Sequence, residues 1–334
     1  MNPKEIQKQL FQKIHQHIAP VNLADELTEL FNTTLSGAYR RIKGETLLSI
    51  EELVRILEHY PFLSFEKFVR PNQISYTLPC LTTQPHNMLD YLSTIERDLK
   101  QITIYPKAFI SYVAQEVPFF HYLMVPEIAA FKMYMWSRTV WNVENLLHAS
   151  FDLEKYRQDD LLLNQMKRIV SLYASVETKE IWNSNMFDIT LNQIRHCYLA
   201  GLFKKGDDDV REIFVLLRGL IQKLRDIVVL GQKKGNERSA KCTVWYNELM
   251  QNSAFILFHL SENVQLVYNI FDAPNFMQSS DFNAFDYSQT FFDKLSGFAL
   301  PLTGGVSERN MPLFFDRLNR KMDIFEHDLF FYKG

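Results

Sequence analysis

The chain has 334 residues, of which 47% are hydrophobic and 22% charged, and its net charge is −3. That balance excludes wholesale disorder, and it excludes a protein that coats nucleic acid through bulk positive charge while leaving room for a local basic patch. The 27 Phe, 15 Tyr and 4 Trp imply a large core, a ring-lined cavity, or both.

At roughly 100–200 residues per domain, at least two domains are expected. Residues 1–70 read as short helices. Ile6, Leu10, Ile14 and Ile18 recur every four residues, which predicts a first helix ending at Pro20. Asn22 is placed to cap a second helix, with Asp25 and Glu26 in its first turn, where the helix dipole favours negative charge. Leu23, Leu27, Leu30 and Phe31 form its apolar face. A break at Asn32-Thr33-Thr34 precedes a third helix that runs through Ala38 and Ile42 to a stop at Gly44. Ser49 and Glu52 form a capping box for a fourth helix, with a predicted core stripe of Ile50, Leu53, Val54 and Leu57. Ser64 is placed to cap a last turn through Phe65 and Phe68.

Pro71, Pro79 and Pro85, among scattered polar residues, mark 71–87 as a linker, with one short strand at Ile74–Leu78. From residue 88 the chain reads as mixed but mostly helical. Helices are predicted over 88–101, 126–147, 159–182, 186–203, 208–230, 287–297 and 311–325, and the content of 102–117 leans towards strand. Gly231–Gly235, with Lys233 and Lys234, reads as a solvated loop. Three runs joined by polar turns, 242–249, 254–260 and 264–271, predict a small antiparallel meander.

Cys80, Cys197 and Cys242 are widely spaced and odd in number, which points to reduced thiols in a cytoplasmic protein. The polar N-terminus lacks an apolar signal core. The richest apolar stretch, Phe119 to Trp141, is broken by His121, Glu127, Lys132 and Arg138, so no membrane partner is expected.

The stretch from Leu27 to Gly44 resembles the helix-turn-helix of the lambda-repressor-like (XRE-type) DNA-binding family. Thr28 stands where most members have Ala, Asn32 where they have Gly in the turn, and Thr34 where Ser caps the recognition helix. Ala38 is the small buried position of the third helix. Ile42 falls one place later than usual, and Gly44 sits in an atypical register. The resemblance implies a lambda-repressor-like bundle at 1–70; with the larger, mostly helical α+β domain read at 88–334, the expected fold is mainly α. The resemblance also implies that helix 34–43 enters the major groove of double-stranded DNA, with Ser36 and Arg40 at base edges and Thr34, Tyr39, Arg41 and Lys43 on phosphates. Leu35 fits either a core stripe or a contact with a thymine methyl. Residues 1–70 hold nine basic and nine acidic side chains, but Arg40, Arg41 and Lys43 cluster on this one helix.

Val117-Pro-Phe-Phe-His-Tyr, Pro126-Glu-Ile-Ala-Ala-Phe-Lys and Gly304-Gly-Val-Ser-Glu-Arg-Asn resemble segments in the C-terminal portions of uncharacterised bacterial regulators carrying such a module.

Patterns for catalysis are weak. His15 and His17, two apart on a helix, do not face the same way. Asp207-Asp208-Asp209 reads as a charged helix start, His196-Cys197 as neighbours facing different environments, and Gly304-Gly305 before Ser307 as a turn. No phosphate-binding loop, G-x-S-x-G or H-E-x-x-H occurs. The expectation is therefore a transcription regulator rather than an enzyme, without metal or cofactor. It would act as a homodimer, with the second domain dimerising, sensing a small-molecule effector, or both. The rivals are an interaction module that has lost DNA binding and an enzyme domain fused to a DNA-binding module.

Overall fold

The computed structural model describes residues 2–17, 23–60, 63, 65–69, 73–78, 85–235, 238–248, 254–261, 264–304 and 308–331. Ile18, Pro20, Asn22, Ser64, Pro71, Pro79, Cys80, Gly305 and Ser307 lie outside them. The chain divides into two units, Met1–Ser75 and Tyr76–Gly334.

The first unit is helical: α1 (Pro3–His17), α2 (Leu23–Phe31), α3 (Leu35–Ile42), α4 (Ile50–His59) and α5 (Phe65–Val69). Its core gathers Leu10, Phe11, Ile14, Leu27, Ala38 and Ile56, all nearly inaccessible. The capping box of α4 forms as expected, with Ser49 Oγ accepting from the Glu52 N–H and Glu52 accepting from the Ser49 N–H. The stripe of α4 differs from the expected one. Ile56 points inward, while Ile50 is 83% exposed and Val54 46%. Both sets obey helical spacing, and packing against α2 selects the inner one.

Gln7 of α1 is buried and joins the chain between α3 and α4 to its own helix. Its Nε2 donates to the carbonyls of Arg41 (2.7 Å) and Thr46 (2.8 Å), and its Oε1 accepts from the Leu48 N–H (2.9 Å). Gln7→Ala leaves three backbone groups without these partners and should cost about 2–3 kcal/mol. Hydrogen exchange of the Leu48 amide should accelerate roughly 30-fold or more; unchanged exchange would contradict this role.

The second unit runs α6 (Met88–Thr103), β1 (Phe109–Val113), α7 (Phe119–Tyr122), α8 (Pro126–Thr139), α9 (Glu144–Leu147), α10 (Leu153–Arg157) and α11 (Asp160–Ala174). It continues with β2 (Glu177–Trp182), α12 (Asp188–Leu199), α13 (Asp207–Leu230), β3 (Gln232–Lys233), β4 (Ala240–Tyr246), β5 (Phe255–His259), β6 (Gln265–Asp272) and β7 (Asn275–Ser279). It ends with α14 (Phe282–Gly297), β8 (Leu300–Pro301) and α15 (Asn310–Phe331).

The sheet is larger than the expected meander. Eight strands form a mixed sheet in the order β3-β4-β2-β1-β5-β6-β7, with β8 also on β4. Strands β1, β2 and β4 are parallel, and β5, β6 and β7 extend the sheet antiparallel from β1. Run 242–249, expected as the first strand of the meander, belongs instead beside β2. The predicted helix 159–182 stops at Ala174 because Glu177–Trp182 is a strand, and 126–147 is two helices rather than one. The expected strand at Ile74–Leu78 is a single bridge from Thr77 to Gln278. With the hydrogen bond from Asn269 to the Tyr76 hydroxyl, that bridge ties the interior of the expected linker to the sheet.

Side chains alternate across the sheet as a two-residue period requires. One face, carrying Ile110, Tyr112, Trp182, Val244 and Ile256, meets the large core supplied by α6 to α13 and α15. The other, carrying Val113, Ile181, Leu257 and Val267, packs under α14 through Ala284, Phe285 and Phe292. The aromatic cluster between Phe119 and Trp141 belongs mostly to the large core, with Tyr122, Phe131 and Tyr134 inaccessible.

Candidate functional site

The first candidate site is the outer face of α3. Asn32 follows α2 with φ +51°, in the left-handed region where Asn is the best substitute for Gly. The chain then extends at Thr34, whose Oγ1 accepts from the Gly37 N–H at 3.2 Å and starts the helix. Ala38 is buried beneath it. Gly44, at φ +72°, turns the chain away after the last residues of the helix.

Ser36, Arg40 and Lys43 are exposed and follow one another at i, i+4 and i+7, hence on one face. Leu35 and Tyr39, each 46% exposed, form the adjacent stripe. Leu35 therefore belongs to the surface rather than the core. Arg41 stands apart from the other expected site residues. Its Nη2 lies 2.7 Å from Glu52 Oε1, its Nε donates to the same oxygen, and its Nη1 donates to the Gly37 carbonyl. Burial pushes the Glu52 carboxyl up, but Arg41 and the Ser49 N–H outweigh it and hold it below its ordinary value. The Arg41 guanidinium thus joins α3 to α4.

The second candidate site escaped sequence reasoning. Glu180, on the central strand β2, is inaccessible to solvent. Its carboxylate accepts from His121 Nε2 (2.8 Å), Trp182 Nε1 (2.9 Å), the Tyr173 hydroxyl (2.8 Å) and Thr178 Oγ1 (3.0 Å). Burial alone would raise its pKa. The charge and hydrogen bond of His121, then Lys233 and Trp182, outweigh burial and hold it at about 2. Lys233, read from the sequence as solvated, is buried. Its Nζ donates to the Val176 carbonyl and to Thr178 Oγ1, and it lies 4.0 Å from the centroid of the Tyr173 ring. Burial lowers that ammonium to about 8, against the pull of the Glu180 carboxylate. Burial also pushes the Cys242 thiol upward.

Beside this charge centre is a cavity of about 160 Å³. His121, Tyr173 and Lys233 line its inner side, Phe120, Val170 and Ile227 its walls, and Lys223, Asp226 and Lys234 its exposed rim. The sequence signal was available: in Glu177–Trp182 every second residue (Thr178, Glu180, Trp182) falls on one face of a strand.

The weaker motifs resolve into structural roles. Asp207 accepts from the Tyr198 hydroxyl and Asp209 from the Lys205 N–H, at the start of α13. Cys197 is buried against Met135 Sδ, whereas His196 is exposed. Ser111 Oγ lies 3.1 Å from His259 Nε2, but Ser111 is fully buried in the sheet and offers no route to a substrate. Among the described residues no group of His, Cys, Asp and Glu is arranged to hold a metal ion. No described helix is long and apolar enough to cross a membrane. No protein-family model, curated protein or solved structure matches the chain.

Proposed function

We propose that the chain is a sequence-specific DNA-binding transcription regulator that inserts α3 into the major groove. The supporting observation is the left-handed turn at Asn32, followed by a Thr34-capped helix whose outer face is Leu35, Ser36, Tyr39, Arg40 and Lys43. The turn and the capped helix support the helix-turn-helix reading. Ser36 and Arg40 read base edges, and Leu35 meets a thymine methyl. Tyr39 and Lys43 hold phosphates. Thr34 uses an oxygen lone pair in its cap and keeps its O–H to donate to a phosphate. Arg41 holds α3 to α4 through Glu52 rather than holding a phosphate. A module this small buries limited area on DNA, so two copies reading two half-sites are expected, with the second unit dimerising the chain or sensing an effector.

One observation favours an interaction module instead. Leu47, Ile50 and Val54 form an exposed apolar stripe on and before α4, the kind of surface a protein partner covers. Fluorescence anisotropy of the full chain against fragments selected from its own genome separates the two readings. The DNA reading expects binding that weakens steeply with salt and prefers the selected sequence to a scrambled one. Absence of DNA binding at low salt would favour the interaction module.

A further inference from the structure

We propose that the cavity beside His121, Tyr173 and Lys233 binds a one-ring aromatic carboxylate, with its ring inside and its carboxylate at the lysine rim. Size sets the class. A cavity of roughly 150 Å³ lined by apolar side chains accepts a benzene ring, and this one measures about 160 Å³. Sites for drug-sized ligands are larger, about 300–1,000 Å³, so the pocket encloses one ring but not a nucleotide or a long acyl chain.

The lining sets the chemistry. Phe120 and Tyr173 lie parallel, with centroids 4.3 Å apart and 11° between planes, and present aromatic surface. Val170, Ala174 and Ile227 complete an apolar wall for a ring.

Charge selects the sign of the ligand. At the exposed rim Lys223 and Lys234 outnumber the single acidic residue, Asp226, while the charge of buried Lys233 is balanced by Glu180. The Glu180 carboxylate does not line the cavity, and its charge is balanced by His121 and Lys233. Lys223 donates one bond to the Met124 carbonyl at 2.6 Å, and an ammonium has two further donors for an anion at the rim. The proposal concerns Tyr76–Gly334 alone and does not rest on DNA binding by the first unit.

Titration calorimetry of the full chain, without DNA, tests it with benzoate as the probe and benzylamine as the control of opposite charge. Benzoate should bind with Kd on the order of 1 mM or tighter, as its nine non-hydrogen atoms allow, and benzylamine should bind at least tenfold more weakly. Val170→Phe, which fills the cavity, should abolish benzoate binding while tryptophan emission reports an intact second unit. The double variant Lys223→Glu/Lys234→Glu changes only exposed side chains and should weaken benzoate about tenfold. No benzoate heat up to roughly 10 mM would overturn the proposal. So would equal affinity for benzylamine, or unchanged benzoate affinity in the folded variants.

Discussion

Glu180→Gln should lower the stability of the second unit by about 3–5 kcal/mol. The substitution keeps the volume, so no cavity explains the loss. It removes the negative charge that compensates buried His121 and Lys233, and it leaves an amide that cannot accept every bond from His121, Trp182, Tyr173 and Thr178. Breaking one side of a buried charge pair is costly because the other side stays buried and uncompensated. Urea unfolding followed by tryptophan emission measures the effect on this unit alone, since Trp136, Trp141, Trp182 and Trp245 all lie within it. A loss below about 1 kcal/mol would show that the carboxylate is not the keystone described here.

The same carboxylate sets an acid limit. Its pKa in the folded protein is about 2, against an ordinary 4.5. A carboxyl with a depressed folded pKa stabilises fully above its unfolded value, and that stability is lost as pH falls through the folded value. Glu180 should therefore contribute about 3 kcal/mol above pH 4.5 and lose it between about pH 4.5 and 2. Other carboxylates titrate in the same window, so the informative quantity is the difference between wild type and Glu180→Gln. That difference should shrink as pH falls from 5 to about 2. A difference constant across this range would contradict the assignment.

How much was legible in the sequence follows from which forces act locally. The elements of the first unit were readable because caps and turns are local chemistry. Asn32 in the turn, Thr34 as cap, Gly44 as stop and the Ser49–Glu52 box each depend on residues within a few positions. The facing of α4 was not readable, since Ile50-Leu53-Val54-Leu57 and Leu53-Ile56-Leu57-Tyr60 fit the same period. An apolar edge that starts at Ile6 hides Gln7, because the buried face runs through Gln7, Leu10, Phe11 and Ile14.

In the second unit the failures share one cause. Lys233 carries charge and so reads as solvated, and Glu180 falls inside the predicted helix 159–182, but each is buried by partners distant in sequence. The six residues of β2 alternate too briefly to compete with the fifteen-residue helical pattern of α11. Strand β4 reads as part of the meander because the runs that follow it in sequence are strands, while its partner in space is β2. Parallel pairing joins distant segments, and local periodicity does not report it.

The central claim, that α3 reads DNA, is tested most directly by comparing wild type, Arg40→Ala and Lys43→Ala on a selected site and on scrambled DNA at several salt concentrations. Both side chains are exposed, so neither change should disturb the fold. Arg40→Ala should lose about 1–3 kcal/mol of discrimination at one base position. Lys43→Ala should weaken binding to both DNAs alike and reduce the salt slope by about one. Binding of both variants indistinguishable from wild type would place the DNA contact elsewhere and contradict the account.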